Sequence, residues 1–261
     1  MADTAPTILV FDSGLGGLTV FREIVKARPD AAYVYLADDA AFPYGNVPED
    51  ELVTRVLAVI GDAIEKHSAE LVVIACNTAS TLALAQLRTK YSVPFIGTVP
   101  AIKPACAASR SKLVSVLGTQ ATVSREYTKG LIREFAQGCE VRLVGANMFA
   151  TYAEAELHGE PAPDAALIAE IAPCFVEESG RRTDTIVLAC THYPLLLDRL
   201  RKLAPWPVDW IDPAPAIARR LVELVGPPLA PKPPAPAQMI FTSGVAPSPK
   251  LKAALKAFGV G

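Results

Sequence analysis

The chain has few of the features that mark membrane, nucleic-acid or metal-binding proteins. Aromatic residues make up only 7% of its 261 residues, and histidine occurs three times. The net charge is −2 and no run of Lys and Arg is present, so we expect no nucleic-acid partner. No apolar run reaches the ~18 residues of a membrane span, and residues 1–6 lack the basic and apolar parts of a signal peptide. These absences predict a cytoplasmic protein without membrane contact.

The cysteines are also sparse and scattered. There are five, with no Cys-x-x-Cys pair and no nearby histidine cluster, so neither a disulfide framework nor a metal site is expected. We interpret Cys106, Cys139 and Cys174 as ordinary structural thiols, because free cysteine is often simply buried. By contrast, apolar residues make up 51% of the chain, enough for one large or two modest domains.

Short apolar runs alternate with helical patterns along the chain. The predicted strands cover residues 7–11, 32–37, 71–75, 95–97, 113–118, 140–145, 185–189, 208–211 and 238–242. The predicted helices cover residues 17–27, 49–67, 80–91, 122–135, 164–178, 195–204, 214–225 and 249–258. Such alternation is typical of a doubly wound α/β fold with buried parallel strands. We predict two similar α/β domains, 1–97 plus 208–261 and 98–207, with a Pro-rich connector over 226–236.

Two cysteines lie in matching contexts. Residues 71–80 read Leu-Val-Val-Ile-Ala-Cys-Asn-Thr-Ala-Ser, and residues 185–194 read Thr-Ile-Val-Leu-Ala-Cys-Thr-His-Tyr-Pro. Cys76 and Cys190 therefore each follow a predicted strand, at the end where α/β folds bind ligands. A cleft between the two domains is the natural place for the site. Two equivalent thiols facing one cleft suit a reaction that needs a matched acid and base.

The loop after the first strand, Asp12-Ser-Gly-Leu-Gly-Gly17, allows two interpretations. It could be a dinucleotide-type glycine turn, although the glycine spacing differs from Gly-x-Gly-x-x-Gly. It could instead present a carboxylate at the strand end and backbone N–H groups to an anionic substrate. We favour the second interpretation.

Other polar residues follow the remaining strands. Pro43, Tyr44 and Gly45 form either a plain turn or a ligand contact with a hydroxyl and an accessible backbone. Asn77, Thr78 and Thr191 could cap helices or donate hydrogen bonds to a ligand, and their repetition beside the cysteines favours the ligand.

The groups that could move protons lie beside the two thiols. His192, two residues after Cys190, can act as an acid, a base or an orienting group. Asp12 could serve Cys76 in the same way.

Alternative chemistries have less support. A Cys-His-Asp hydrolase needs one thiol and leaves the second cysteine loop unexplained. There is no Gly-x-Ser-x-Gly elbow, no Walker loop and no lysine in the polar loops, so serine hydrolysis, P-loop chemistry and a pyridoxal Schiff base are not supported.

Taken together, the glycine loop, Pro43-Tyr-Gly45, the two cysteine loops and Val116-Leu-Gly-Thr119 resemble the bacterial glutamate racemase family, within the aspartate/glutamate racemase superfamily. The resemblance runs along nearly the whole chain. It implies two α/β domains related by a pseudo-twofold axis, an active site in the cleft between them, and no cofactor. It further implies racemisation of L-glutamate to D-glutamate for peptidoglycan synthesis. A homodimer is compatible with the resemblance, which does not fix the oligomeric state.

The resemblance also implies roles for individual residues. Cys76 would act on the D-enantiomer and Cys190 on the L-enantiomer, assisted by Asp12 and His192. The residues matched to substrate-binding positions are Asp12, Ser13, Tyr44, Gly45, Asn77, Thr78, Thr119, Thr122, Glu154, Thr191 and His192.

The match to the family has gaps. Ala37-Asp-Asp39 departs from the Gly-Asp-Thr that often precedes Pro-Tyr-Gly, Ala189 replaces a common glycine, and residues 147–154 match loosely. A related racemase for aspartate or another amino acid, and a non-catalytic protein on the same fold, are the competing hypotheses.

Overall fold

The computed structural model describes residues 5–229 and 234–260. Within them the strands are β1 (Thr7–Asp12), β2 (Ala32–Ala37), β3 (Leu71–Ile74), β4 (Phe95–Gly97), β5 (Leu113–Thr119), β6 (Glu140–Ala146), β7 (Glu177–Glu178), β8 (Arg181–Arg182), β9 (Thr185–Ala189), β10 (Asp209–Ile211) and β11 (Gln238–Phe241). The helices are α1 (Leu18–Ala27), α2 (Glu49–His67), α3 (Asn77–Lys90), α4 (Ile102–Ala108), α5 (Gln120–Ser124), α6 (Glu126–Phe135), α7 (Phe149–Leu157), α8 (Asp164–Ile171), α9 (Leu197–Leu203), α10 (Ala214–Val225) and α11 (Pro249–Ala257).

Two parallel sheets organise the described chain. The first has the strand order β11-β2-β1-β3-β4 and the second has the order β10-β9-β5-β6, while β7 and β8 form a separate antiparallel hairpin. Successive side chains of a strand point to opposite faces of the sheet, so each strand packs against helices on both faces. In β1, Ile8 and Val10 pack towards α1 and α10, whereas Leu9 and Phe11 pack towards α2 and α3. The predicted doubly wound α/β architecture is confirmed.

The chain crosses from the first sheet to the second after β4 and returns after β10. This corrects the predicted second boundary in one respect. Residues 208–211 were assigned to the first domain, but Asp209–Ile211 pairs with β9 in the second sheet. The division into two domains stays a prediction, with its return crossing now placed between Ile211 and Ala214. Part of the predicted connector, residues 230–233, lies outside the described residues.

Several helix boundaries differ from the prediction for local reasons. The predicted helix 122–135 is two helices, because Arg125 has extended backbone between α5 and α6. The predicted helix 164–178 ends at Ile171, where a 3-10 turn containing Pro173 precedes the β7–β8 hairpin. Proline cannot donate the hydrogen bond that would continue the helix. Two helices, α4 and α7, were not predicted.

The long helix α2 shows how the sequence sets its limits. Three acidic residues occupy its first turn and Lys66 and His67 its last, which matches the helix dipole at both ends. Ser68 then adopts a left-handed conformation and ends the helix. Within the described residues, no helix is both long and apolar enough to cross a membrane.

Candidate active site

The carboxyl ends of β1, β3, β5 and β9 meet where the two sheets face each other. Their loops line one small cavity. Both predicted catalytic thiols, Cys76 and Cys190, line it. The predicted binding residues that also line it are Ser13, Tyr44, Gly45, Asn77, Thr78, Thr119, Thr191 and His192. The structure therefore brings most of the predicted set around one space.

Cys76 directly precedes α3. This helix begins at Asn77, three residues before the predicted start at residue 80. The backbone of Cys76 is extended, so the side chain and the first N–H groups of the helix lie at the same end of α3. The thiol is buried and its Sγ lies 3.6 Å from Ser13 Oγ. Burial and the nearby Asp12 carboxylate raise the pKa of Cys76 to about 12. Cys76 is therefore a thiol at neutral pH, the form that can donate a proton.

Cys190 has different neighbours. Its Sγ lies 3.9 Å from Nδ1 of His192, and Nε2 of the same ring lies 2.7 Å from a carboxylate oxygen of Glu154. Burial alone would lower the pKa of His192, but the contacts with Cys190 and Glu154 outweigh it, and the pKa is raised well above its ordinary value. His192 is therefore an imidazolium at neutral pH, and its ring faces the Cys190 sulfur.

Glu154 and Asp12 do not line the cavity; both support residues that do. Glu154 sits on the unpredicted helix α7 and also accepts a hydrogen bond from the backbone N–H of Leu15. Asp12 is fully buried and accepts a hydrogen bond of 3.0 Å from the Thr191 hydroxyl. Burial raises the pKa of Asp12, although the charge of His192 and the hydrogen bonds from Gly17 N–H and the Thr191 hydroxyl act to lower it.

The loop after β1 is packed tightly against the loop after β9. A Cβ atom at Gly16 would collide with the ring and the backbone nitrogen of His192, so only glycine fits there. The hydroxyl of Thr19 lies 3.4 Å from the carbonyl oxygen of Thr191. Close approach of these two chain segments therefore explains the glycine at position 16.

Asn77 carries the clearest sign of a ligand position. Its side chain is 2% exposed, and neither its amide nitrogen nor its amide oxygen has a hydrogen-bond partner among the residues that the structure describes. An unpaired buried amide group costs roughly 1–3 kcal/mol. Because Asn77 lines the cavity, a bound polar molecule could satisfy both atoms.

Tyr44 lines the cavity with its ring, but its hydroxyl is already engaged. It donates a 2.5 Å hydrogen bond to Asp38, which also accepts from Arg55 and from the Thr242 hydroxyl. Burial and the Asp38 carboxylate raise the pKa of Tyr44. Asp38 thus anchors the 43–45 loop from outside the cavity. The unusual sequence Ala37-Asp-Asp39 gave no indication of this role.

Thr119 and Thr122 differ in their positions. Thr119 ends β5, lines the cavity and accepts a hydrogen bond from the backbone N–H of Thr122, which makes it the N-cap of α5. Thr122 is fully buried and contacts the Thr119 hydroxyl, but it does not line the cavity. The structure thus places Thr122 behind Thr119.

Sequence reasoning missed two residues that join the halves of the site. Arg125 donates to the Thr78 carbonyl and, at 2.8 Å, to the Thr81 hydroxyl, and it pairs with Glu49. Phe42 packs on His192 with ring centroids 5.2 Å apart. The break between α5 and α6 lets Arg125 reach α3, and no local sequence signal marks such a contact.

The resulting geometry suits proton transfer to and from a small polar molecule. The space open to the centre of a water-sized sphere is only about 20 Å³, so the loops nearly close on each other. A thiol that holds its proton and a sulfur supported by an imidazolium face this space from different sheets. Among the described residues, no group of three or more His, Cys, Asp and Glu side chains is arranged to hold a metal ion.

The chain is similar to known racemases. Residues 8–221 match the Asp/Glu/Hydantoin racemase family. The chain is 59% identical over 219 residues to glutamate racemase from Brucella canis, which covers 84% of this chain and 79% of the relative. It is 58% identical to glutamate racemase from Brucella anthropi, covering 87% of this chain and 82% of the relative.

Solved structures give the same result. The fold superposes on Escherichia coli glutamate racemase in complex with L-glutamate and the activator UDP-MurNAc-Ala. That match has a TM-score of 0.89 and 39% identity, over 98% of this chain and 96% of the other. A glutamate racemase isoform from Bacillus anthracis matches with a TM-score of 0.78 and 26% identity, over 98% and 92% of the two chains.

Proposed function

The chain belongs to the Asp/Glu/Hydantoin racemase family, and on that basis we propose that it interconverts L- and D-glutamate without a cofactor. The observation that carries the proposal is the pair of thiols, Cys76 and Cys190, which enter one closed cavity from different sheets. Its product, D-glutamate, would supply peptidoglycan synthesis.

In the proposed reaction one sulfur removes the α-proton and the other returns a proton to the opposite face. For L-glutamate, the Cys190 thiolate, held beside His192, takes the proton. The Cys76 thiol, whose high pKa keeps it protonated, donates its own to the planar carbanion and forms D-glutamate. The reverse reaction exchanges the two roles.

The binding groups follow from the same geometry. The unpartnered amide of Asn77 and the first N–H groups of α3 supply neutral donors for a carboxylate whose charge grows as the carbanion forms. Asp12 would hold Thr191, and Glu154 would hold His192, from behind. Tyr44, Gly45, Thr119 and Ser13 would complete the walls. We keep Thr122 as a supporting residue rather than a direct contact.

The substrate can be tested by isotope exchange. L-glutamate and L-aspartate are incubated separately with the protein in deuterated water, and α-deuterium is measured by NMR. We expect deuterium in glutamate together with formation of the D-enantiomer, and none in aspartate. Exchange in aspartate alone would replace glutamate with aspartate as the substrate, and exchange in neither would refute racemisation of both.

A homodimer and a cytoplasmic location remain predictions.

A second test concerns closure of the cleft. Arg125→Ala should raise the KM for glutamate up to about thirtyfold with a smaller change in kcat, because two hydrogen bonds between the halves, each worth roughly 1 kcal/mol, disappear. Steady-state kinetics in both directions measure this. The matched control is Arg133→Ala within helix α6, which removes an exposed ion pair with Glu126 of that helix. An equal rise in KM in both variants would contradict the role of Arg125 in holding the two halves together.

A further inference from the structure

Two cysteines outside the active site lie against each other. Cys106 is on α4, just after the chain enters the second sheet, and Cys139 directly precedes β6. The Sγ of Cys139 lies 3.3 Å from the carbonyl oxygen of Cys106. Both side chains belong to the same apolar cluster beneath that sheet. Cys76 and Cys190 belong to two other apolar clusters.

The two thiols differ in their access to solvent. Cys106 is fully buried, whereas Cys139 is partly exposed. Burial and the neighbouring Cys139 raise the pKa of Cys106 to about 12, while the Lys112 ammonium, 3.4 Å from the Cys106 carbonyl oxygen, acts in the opposite direction. A small oxidant therefore reaches Cys139 first, and Cys106 is in place to react next.

The chain around Cys139 has room to adjust. Gln137 and Gly138 form a turn with two consecutive positive φ angles, 49° and 80°, directly before Cys139. A change in that turn can move the Cys139 sulfur without moving the buried strands. Cys106, in contrast, is fixed on a helix that packs under β9.

We propose that Cys106 and Cys139 form a reversible disulfide when the protein meets hydrogen peroxide. The Cys139 sulfur attacks the peroxide, its S–O bond forms as the O–O bond breaks, and a sulfenic acid and one water result. The Cys106 sulfur then attacks this sulfenic acid, the S–S bond forms, and the oxygen leaves as a second water. Two thiols and one hydrogen peroxide thus give one disulfide and two waters. This site is independent of the proposed racemisation.

The test uses the full-length protein freed of reductant and treated with hydrogen peroxide. Remaining thiols are blocked with iodoacetamide, and peptides are mapped by mass spectrometry. We expect a cross-linked pair containing Cys106 and Cys139, about 2 Da lighter than the two thiol peptides together, that dithiothreitol separates. Thermal unfolding should move up by roughly 5 °C on oxidation, because the bond closes a long loop.

Variants separate the two steps. In Cys106→Ser the sulfenic acid has no partner, so dimedone labelling of Cys139 should rise several-fold over the wild type. In Cys139→Ser both the cross-link and the labelling at this site should disappear. Cys174→Ser, which removes a buried thiol in a different cluster, should leave the cross-link intact. Absence of the cross-link in oxidised wild type, or unchanged dimedone labelling in Cys106→Ser, would overturn the proposal.

Discussion

Cys76→Ser and Cys190→Ser should each lower the turnover of glutamate by about a thousandfold or more. Serine keeps the shape of the side chain but holds its proton far more strongly than a thiol, so it neither removes nor returns the α-proton at neutral pH. General acid–base groups contribute typically 10²–10⁴-fold, and each sulfur serves as the base in one direction and the acid in the other. Circular dichroism of the glutamate solution measures the loss in both directions.

The combination of the two changes is equally informative. Both sulfurs act in the same turnover, so the double variant should be scarcely slower than either single variant. Cys174→Ser is the control, since that thiol is buried away from the cavity. A single variant that retains more than about a tenth of wild-type turnover would rule out the two-thiol mechanism.

Asp38→Asn should destabilise the fold by about 2 kcal/mol, the scale expected when hydrogen bonds to a buried carboxylate are lost. The Asp38 carboxylate is fully buried and accepts hydrogen bonds from Arg55, Tyr44 and Thr242. An amide accepts at one atom only, so at least one donor loses its partner. Urea unfolding measures the change. Asp198→Asn, at a carboxylate that is 91% exposed, should leave the midpoint unchanged.

Because of the buried Asp38 carboxylate, we also expect the stability of the fold to depend on pH. Burial would raise the pKa of Asp38, but Arg55, Thr242 and Tyr44 together lower it below its ordinary 3.8. A lowered pKa means that the folded state favours the charged form. Its contribution to stability is therefore complete above about pH 4 and is lost as the pH falls through the lower value. The unfolding midpoint of Asp38→Asn should fall less than that of wild type between pH 5 and pH 3; parallel curves would contradict this role.

The sequence predicted the strands well because they are continuous apolar runs, and nine of them recur within two residues of the expected bounds. It also predicted the residues that end these strands, since parallel strand ends converge at one edge. What it could not predict depends on contacts distant in sequence. Arg125 meets Thr81 and Glu49 only through the fold, and Asp38 meets Thr242 across 204 residues.

The helix starts show the same limit on a smaller scale. The polar residues Asn77 and Thr78 suggested a loop, yet they form the first turn of α3. Glu154 was found only by resemblance, because its helix had no clear amphipathic pattern. Its partner, His192, is 38 positions away.

The two catalytic sulfurs have different surroundings. Cys76 precedes the 14-residue helix α3, whereas Cys190 is followed by His192 and a 3-10 turn. In water the mirror-image forms of an amino acid have equal free energy, so their equilibrium constant is one. Catalytic efficiency, kcat/KM, must then be the same in both directions whatever the surroundings of each sulfur. The asymmetry of the site can therefore change kcat and KM only by the same factor. The enantiomer with the higher KM also has the proportionally higher kcat.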